Sequence, residues 1–180
     1  FTKMKNSTLH FYGAAGMVTG SNFVLDTGEG KIMVDCGLMQ GMGEEDNWEP
    51  FAFDPASVSH LVVTHAHLDH IGRIPRLVKL GFKGQIISTT GTLALVGPLL
   101  LDAMENLGAS AERHGKDALF DEDDIKNALK LWRGIRYGEK LTLPDGISFE
   151  LLDAGHILGS AMVRLTREGR ILFFTGDLGG

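Results

Sequence analysis

The chain is poor in several things, and each shortage narrows what it can be. Cys36 is the only cysteine in 180 residues. No intrachain disulfide can form, and the expected location is cytoplasmic. Proline is scarce, with 5 residues against 24 glycines, a balance that favours tight turns and close backbone approaches over a disordered linker. Basic residues are outnumbered, 17 Lys and Arg to 23 Asp and Glu, for a net charge of -6. That deficit excludes broad, non-specific polyanion binding by the chain alone, but not a nucleic acid gripped by metal ions at one site. No apolar run approaches the ~18 residues of a membrane span, and "FTKMKNSTLHFYG" lacks a signal-peptide core, so no membrane partner is expected. Met4 is expected to be the natural start, with Phe1 to Lys3 a remnant before it. There is no low-complexity tract and no internal repeat.

What remains is an ordinary globular composition of a length that suits one domain with a real core. The first third reads as short strands, "TLHFYG", "NFVLD" and "KIMVDCG", with "DTGEGK" (residues 26–31) as a hairpin turn. "HLVVTH" and "QIIS" read as short apolar strands. Ile71 to Leu80 reads as a helix, with Pro75 tolerable only in its first turn and Gly81 as its stop. Leu93, Val96, Leu100, Met104 and Leu107 recur at helical spacing, but Gly97-Pro98 should kink or split that segment. A further helix is expected from Glu122 to Trp132, with Ile125, Leu129 and Trp132 on one face. Strands return in "ISFELLDA", "AMVRLTREG" and "ILFFTGD", with "REG" (residues 167–169) as a hairpin turn. Strands, then helices, then strands point to an α/β sandwich. "DEDD", Asp121 to Asp124, could suggest the paired carboxylates of a nuclease. A helix N-terminus is the better reading, with Asp121 as cap and the other acids favouring the dipole.

The chemistry concentrates in "THAHLDH", Thr64 to His70, directly after an apolar run. Two more apolar runs also end in a potential ligand, "FELL" before "DAGH" (His156) and "ILFF" before "TGD" (Asp177). Strand ends in an α/β sheet converge on one rim, where sites form. His65 and His67, two apart, point the same way in an extended chain. Asp69 and His70 start a helix and can face a neighbouring position. A lone His156 or Asp177 would be unremarkable, as His10, His60 and His114 are. The H-x-H-x-D-H spacing joined to two strand-end ligands points to metal binding, with enough N and O donors for two ions. Imidazoles and carboxylates favour Zn²⁺, with Mn²⁺ or Fe also suited, and the lack of a cysteine ligand argues against a structural zinc finger. Cys36 in "DCG" reads as a small buried residue rather than a nucleophile.

"THAHLDH" with "DAGH" and "TGD" resembles the metallo-β-lactamase superfamily. "MVDCG", "THAHLDHIGRIPRL", "DAGHILGSAM" and "FFTGDLG" resemble one branch of it, the β-CASP ribonucleases, which include the mRNA 3′-end cleavage subunit and the RNase J enzymes. The resemblance implies the N-terminal part of an αββα sandwich. It implies that His65, His67 and His156 bind one zinc, that Asp69 and His70 bind a second, and that Asp177 bridges them. Asp35 would accept an N–H from a ligating imidazole. "GAAGMVTGSN" (residues 13–22) matches a family loop near the metals. It has neither the Walker A nor the GxGxxG spacing.

Family members continue past "TGD" into a β-CASP domain and then complete the metal-binding fold. This chain is therefore expected to be an N-terminal portion, residues 1–180, without the β-CASP domain. Its last strands, "AMVRLTREG" and "ILFFTGD", should lack neighbours, and a homo-oligomer is expected. The resemblance implies RNA phosphodiester hydrolysis, in which two close divalent ions lower the pKa of a shared water to ~7 and Asp69 orients or deprotonates it. Rival readings are another two-metal hydrolase, acting on a thioester, a lactone or a small phosphodiester, and a catalytically silent RNA-processing scaffold. "DAGHILGSA" counts against the first rival, and the full set of ligand positions in this part counts against the second.

Overall fold

The computed structural model describes residues 7–41, 43–143 and 145–179. The expectation about Met4 falls outside them. A first sheet has six strands in the order β1 (Thr8–Phe11), β2 (Phe23–Asp26), β3 (Lys31–Val34), β4 (Val58–Val62), β5 (Gln85–Thr89) and β6 (Trp132–Ile135). β1, β2 and β3 are antiparallel neighbours, while β3 through β6 run parallel. The second sheet is antiparallel, in the order β10 (Arg170–Phe174), β9 (Ala161–Arg167), β8 (Ser148–Asp153), β7 (Leu141–Thr142).

Side-chain alternation divides the core in two. On the parallel strands, Ile32, Val34, Val62 and Ile87 face the second sheet, where they meet Phe149, Leu151, Val163 and Leu165. Their neighbours Met33, Leu61, Val63 and Ile86 face the other way, onto helices. Strands covered on both faces must be apolar at nearly every position, which explains why "LVV" and "QII" carry no polar interruption. The helices are α1 (Leu68–Ile71), α2 (Ile74–Lys79), α3 (Thr90–His114) and α4 (Glu122–Lys130), and each contributes to the first core, through Ile71, Ile74 and Leu77, Val96 and Leu100, and Ile125 and Ala128. The result is an α/β sandwich of helices, sheet and sheet. No helix among the described residues is long and apolar enough to cross a membrane.

The structure departs from the sequence reading in four places. Gly97-Pro98 does not split the long helix, because α3 runs through Pro98 as one element of 25 residues. Its ends are capped by Thr89 and Gly115, and Val96 and Leu100 on either side of the proline are fully buried. This burial outweighs one lost backbone hydrogen bond. Ile71 to Leu80 is not one helix but the junction of α1 and α2, with Pro75 in the first turn of the latter. Trp132 leaves the helical face assigned to it and opens β6, where its Nε1–H donates to Ser88 Oγ at 2.9 Å. Finally, β9 does not lack neighbours, since it is paired with β8 and β10; of the two, β10 is the edge strand. The "DEDD" segment is a helix start, as Asp121 and Asp124 form a reciprocal capping box.

Phe149, on β8, is 2% exposed and central to the core between the sheets. Phe149→Ala is expected to cost about 3–5 kcal/mol, read as a lower urea midpoint with an unchanged slope.

Candidate metal centre

Parallel strands carry their C-terminal ends to one rim, and the second sheet meets the first there. His65 follows β4, and Asp35 follows β3 in the left-handed region (φ 58°), a conformation that aspartate tolerates better than most residues. Ala161 N–H at the start of β9 donates to Thr64 O at 2.8 Å, so the loops after β8 and β10 close over the end of β4. Gly176 (φ 55°) lies against Thr64; a Cβ there would come within 2.9 Å of the Thr64 Cβ. Gly37 is as constrained, since its Cβ would overlap Asp69 O.

These strand ends bring His65, His67, His156 and Asp177 together, with one donor atom from each within 4.8 Å of all the others. Nδ1 of His67 is 3.1 Å from Nε2 of His65 and 3.3 Å from Nε2 of His156. Oδ2 of Asp177 is 3.6 Å from each of the same two Nε2 atoms. Donors on a four-coordinate ion with ~2.0–2.1 Å bonds sit about 3.3 Å apart, a spacing near that of these pairs, so the four residues could hold a divalent metal. The other carboxylate oxygen, Asp177 Oδ1, is 3.5 Å from His70 Nε2, which is 3.7 Å from Asp69 Oδ2. Asp177 thus faces both groups of donors.

A hydrogen-bond network beneath sets which imidazole nitrogens are free. Asp35 Oδ2 lies 2.7 Å from His70 Nδ1 and accepts from Thr64 Oγ1 at 2.8 Å and Ser21 Oγ at 3.3 Å, while Oδ1 accepts from Thr64 N–H at 2.8 Å. A carboxylate only accepts, so His70 carries its proton on Nδ1 and its Nε2 lone pair faces the site. The Thr64 hydroxyl spends its one proton on Asp35. His65 Nδ1, 3.0 Å from that oxygen, must then be a donor, leaving Nε2 free as well. Burial pushes the His65 imidazole down to about 4, helped by His70 and opposed by Asp35 and Asp177. His65 is therefore neutral near pH 7. Burial also works against protonated His70, but Asp35, by charge and hydrogen bond, and then Asp69 and Asp177 outweigh it and raise its pKa.

The loop carrying His156 is tied down separately. His156 N–H and Ile157 N–H donate to Ser160 Oγ at 3.0 and 3.2 Å. Thr89 and Thr92, at the start of α3, both donate their hydroxyls to Gly159 O, at 2.6 and 2.8 Å.

The chain belongs to the metallo-beta-lactamase superfamily. Residues 15–180 match that family's model. The chain is 40% identical over 168 residues to ribonuclease TTHA0252 of Thermus thermophilus, covering 93% of this chain and 37% of that protein. It is 33% identical to cleavage and polyadenylation specificity factor subunit 3 of Dictyostelium discoideum, covering 91% of this chain and 21% of that one. The chain thus spans little more than a third of the first relative's length, and about a fifth of the second's. The solved metallo-beta-lactamase fold protein YhfI of Bacillus subtilis aligns over 95% of this chain and 61% of its own, with a TM-score of 0.56 at 16% identity, a likeness of fold.

Of the residues expected as ligands, the structure groups His65, His67, His156 and Asp177, sets His70 and Asp69 beside Asp177, and puts Asp35 behind His70. Asp35 is 1% exposed behind Thr64 and His70, whereas the Asp69 side chain keeps 19% exposure. His10, His60 and His114 lie elsewhere, engaged with Tyr12, Ser59 and the Ser110 carbonyl. Sequence reasoning assigned no role to Thr64, Ser21, Ser160, Thr89 or Thr92. Thr64 and Ser160 stand inside the quoted motifs, but hydroxyls have no ligand spacing by which to notice them.

Two outcomes are expected. Burial pushes the Cys36 thiol up to about 12, so it stays protonated and unreactive at pH 8. Ellman's reagent should react with Cys36 only as fast as the protein unfolds. Replacing both Thr89 and Thr92 by valine strips Gly159 O of its side-chain donors and is expected to cost about 1–3 kcal/mol in chemical denaturation.

Proposed function

We propose that this chain is the metal-binding portion of a β-CASP-type ribonuclease that hydrolyses RNA phosphodiester bonds. The observation that carries the reading is the convergence of three imidazoles and one carboxylate, from three strand ends, within 4.8 Å. The identity with a protein named as a ribonuclease supports the choice of substrate. His65, His67, His156 and Asp177 would hold one ion, and Asp69, His70 and Asp177 a second, with Zn²⁺ the best match and Mn²⁺ or Fe also suited. Such ions, when bound, make water a nucleophile near neutral pH and stabilise negative charge on phosphoryl oxygens.

The chain's own residues do the rest. Asp35 and Thr64 hold His70 and His65 in the tautomers that present Nε2 to the site. Asp69, beside His70 and partly exposed, would orient an attacking water and take its proton. The lone buried Cys36 suits a cytoplasmic location. The free β10 edge, with Ile171 and Phe173 exposed, favours association with a second copy.

His67→Ala is expected to lower metal-dependent RNA cleavage by more than about 100-fold in a protein of the relatives' full length, and Asp69→Ala to do the same. Full RNase activity in a ligand variant from which the metal has been lost would overturn the mechanism. In elemental analysis against a competing chelator, the His65–His67–His156 site should keep its ion longer than the second. Light scattering over a dilution series should show association.

A further inference from the structure

Parallel strands β3, β4, β5 and β6 all end at the rim of the site. β3 delivers Asp35, β4 delivers His65 and β5 delivers Thr89. β6 delivers the turn Arg136–Glu139, which the mechanism does not use. Tyr137 on this turn, one of two tyrosines in the chain, is 43% exposed. It is also firmly held. Glu139 N–H donates to Arg136 O at 3.2 Å, and Gly138 (φ 72°) donates its N–H to Leu151 O on β8 at 2.9 Å. The phenol donates to Ser160 O at 2.9 Å. Ser160 is the residue whose hydroxyl accepts from His156 N–H, so the ring is tethered to the loop that places a site imidazole.

The charge around the ring runs against that of the chain. Arg133, Arg136 and Lys140 lie within four residues of it, and all three are exposed. Arg133 is loosely paired with Glu139 at 3.5 Å. Among the described residues, no hydrogen bond or ion pair engages the Arg136 guanidinium or the Lys140 ammonium. Three cations outnumber the two carboxylates near the ring, Glu139 and Asp153, in a chain of net charge -6. Burial, and after it the Asp153 carboxylate at the end of β8, raise the pKa of the Tyr137 phenol, and one Asp153 oxygen accepts from Gly155 N–H at 2.9 Å.

We propose that Tyr137 is a stacking platform for one base of single-stranded RNA, with Arg136 and Lys140 holding the flanking phosphates beside the metal centre. This rests on the ribonuclease reading and deepens it by naming where the strand is gripped. Every base has a π-face, so such a platform accepts any sequence, while cations beside it follow the backbone. A ring already fixed by its hydroxyl gives up little freedom on binding. Proteins that merely brace a loop need the hydroxyl of Tyr137, whereas a stacking platform needs its ring. The two roles therefore respond differently to Tyr137→Phe.

The test is fluorescence anisotropy of the protein, in chelator, with a labelled RNA of about 12 nucleotides and with its abasic counterpart. Tyr137→Ala should weaken binding of the base-bearing strand about 5- to 100-fold and leave the abasic strand unchanged. Tyr137→Phe keeps the ring but loses its tether, and should weaken binding of the base-bearing strand far less than Tyr137→Ala does, with the abasic strand unchanged. Arg136→Ala and Lys140→Ala should weaken both, each lowering the slope of log affinity against log salt by about 0.7. As a second readout, Tyr137→Trp should show indole emission quenched by the base-bearing strand and not by the abasic one. An unchanged Tyr137→Ala, a Tyr137→Phe as damaged as Tyr137→Ala, or equal competition by polyglutamate would overturn the proposal and leave the ribonuclease reading standing. A parent protein that binds no RNA would overturn that reading, and the platform with it.

Discussion

One buried carboxylate sets the conditions for the rest of the site. Asp35 is 1% exposed and sits in a left-handed backbone conformation at the end of β3. A carboxylate taken out of water is tolerated only when its oxygens are met by donors. Asp35 meets that demand with the Thr64 amide, the Thr64 hydroxyl, the Ser21 hydroxyl and His70 Nδ1. Each of these donors is thereby fixed in place. The two consequences for chemistry, a free Nε2 on His70 and a free Nε2 on His65, follow from the count of protons available to Thr64 and the imidazoles.

The same region joins the two sheets. Thr64 O accepts from Ala161 at the head of β9, and Gly179 N–H donates to Ala154 O, so the loops after β8 and β10 are laced to the first sheet and to each other. Below this seam, Val62 and Ile87 pack against Leu151 and Val163. Packing between the sheets and metal-donor geometry are therefore one problem. A shift of the second sheet would move His156 and Asp177 away from His65 and His67 together, which is why Gly159 O is gripped by two threonines from α3.

The site is also graded in its exposure. His65 and Asp35 are sealed, His156 is partly open and Asp177 is the most exposed of the donors. The buried side supplies fixed tautomers and the open side admits a substrate. The β6 turn is joined to the loop carrying His156 through Tyr137, whose hydroxyl donates to Ser160 O at 2.9 Å.

Much of this was legible in the residues. Alternation and apolar runs mark β1 to β5 and β8 to β10, and Asp121 with Asp124 marks the start of α4, because local hydrogen bonding and side-chain period are set by neighbours in sequence. The H-x-H-x-D-H spacing and the strand-end positions of His156 and Asp177 identify the donors, since ligand chemistry restricts residue type. Other features depended on contacts between distant parts of the chain. Pro98 stays within one helix because the core on both sides of it holds the helix together. Trp132 becomes a strand residue because β5 offers it an edge and Ser88 a hydrogen-bond acceptor. Thr64, Thr89, Thr92 and Ser160 gain their roles from partners up to 70 residues away. The sequence by itself determined which atoms could bind a metal. Only the tertiary structure decided which of their nitrogens face it, because a proton's place on an imidazole is settled by the partner on its far side.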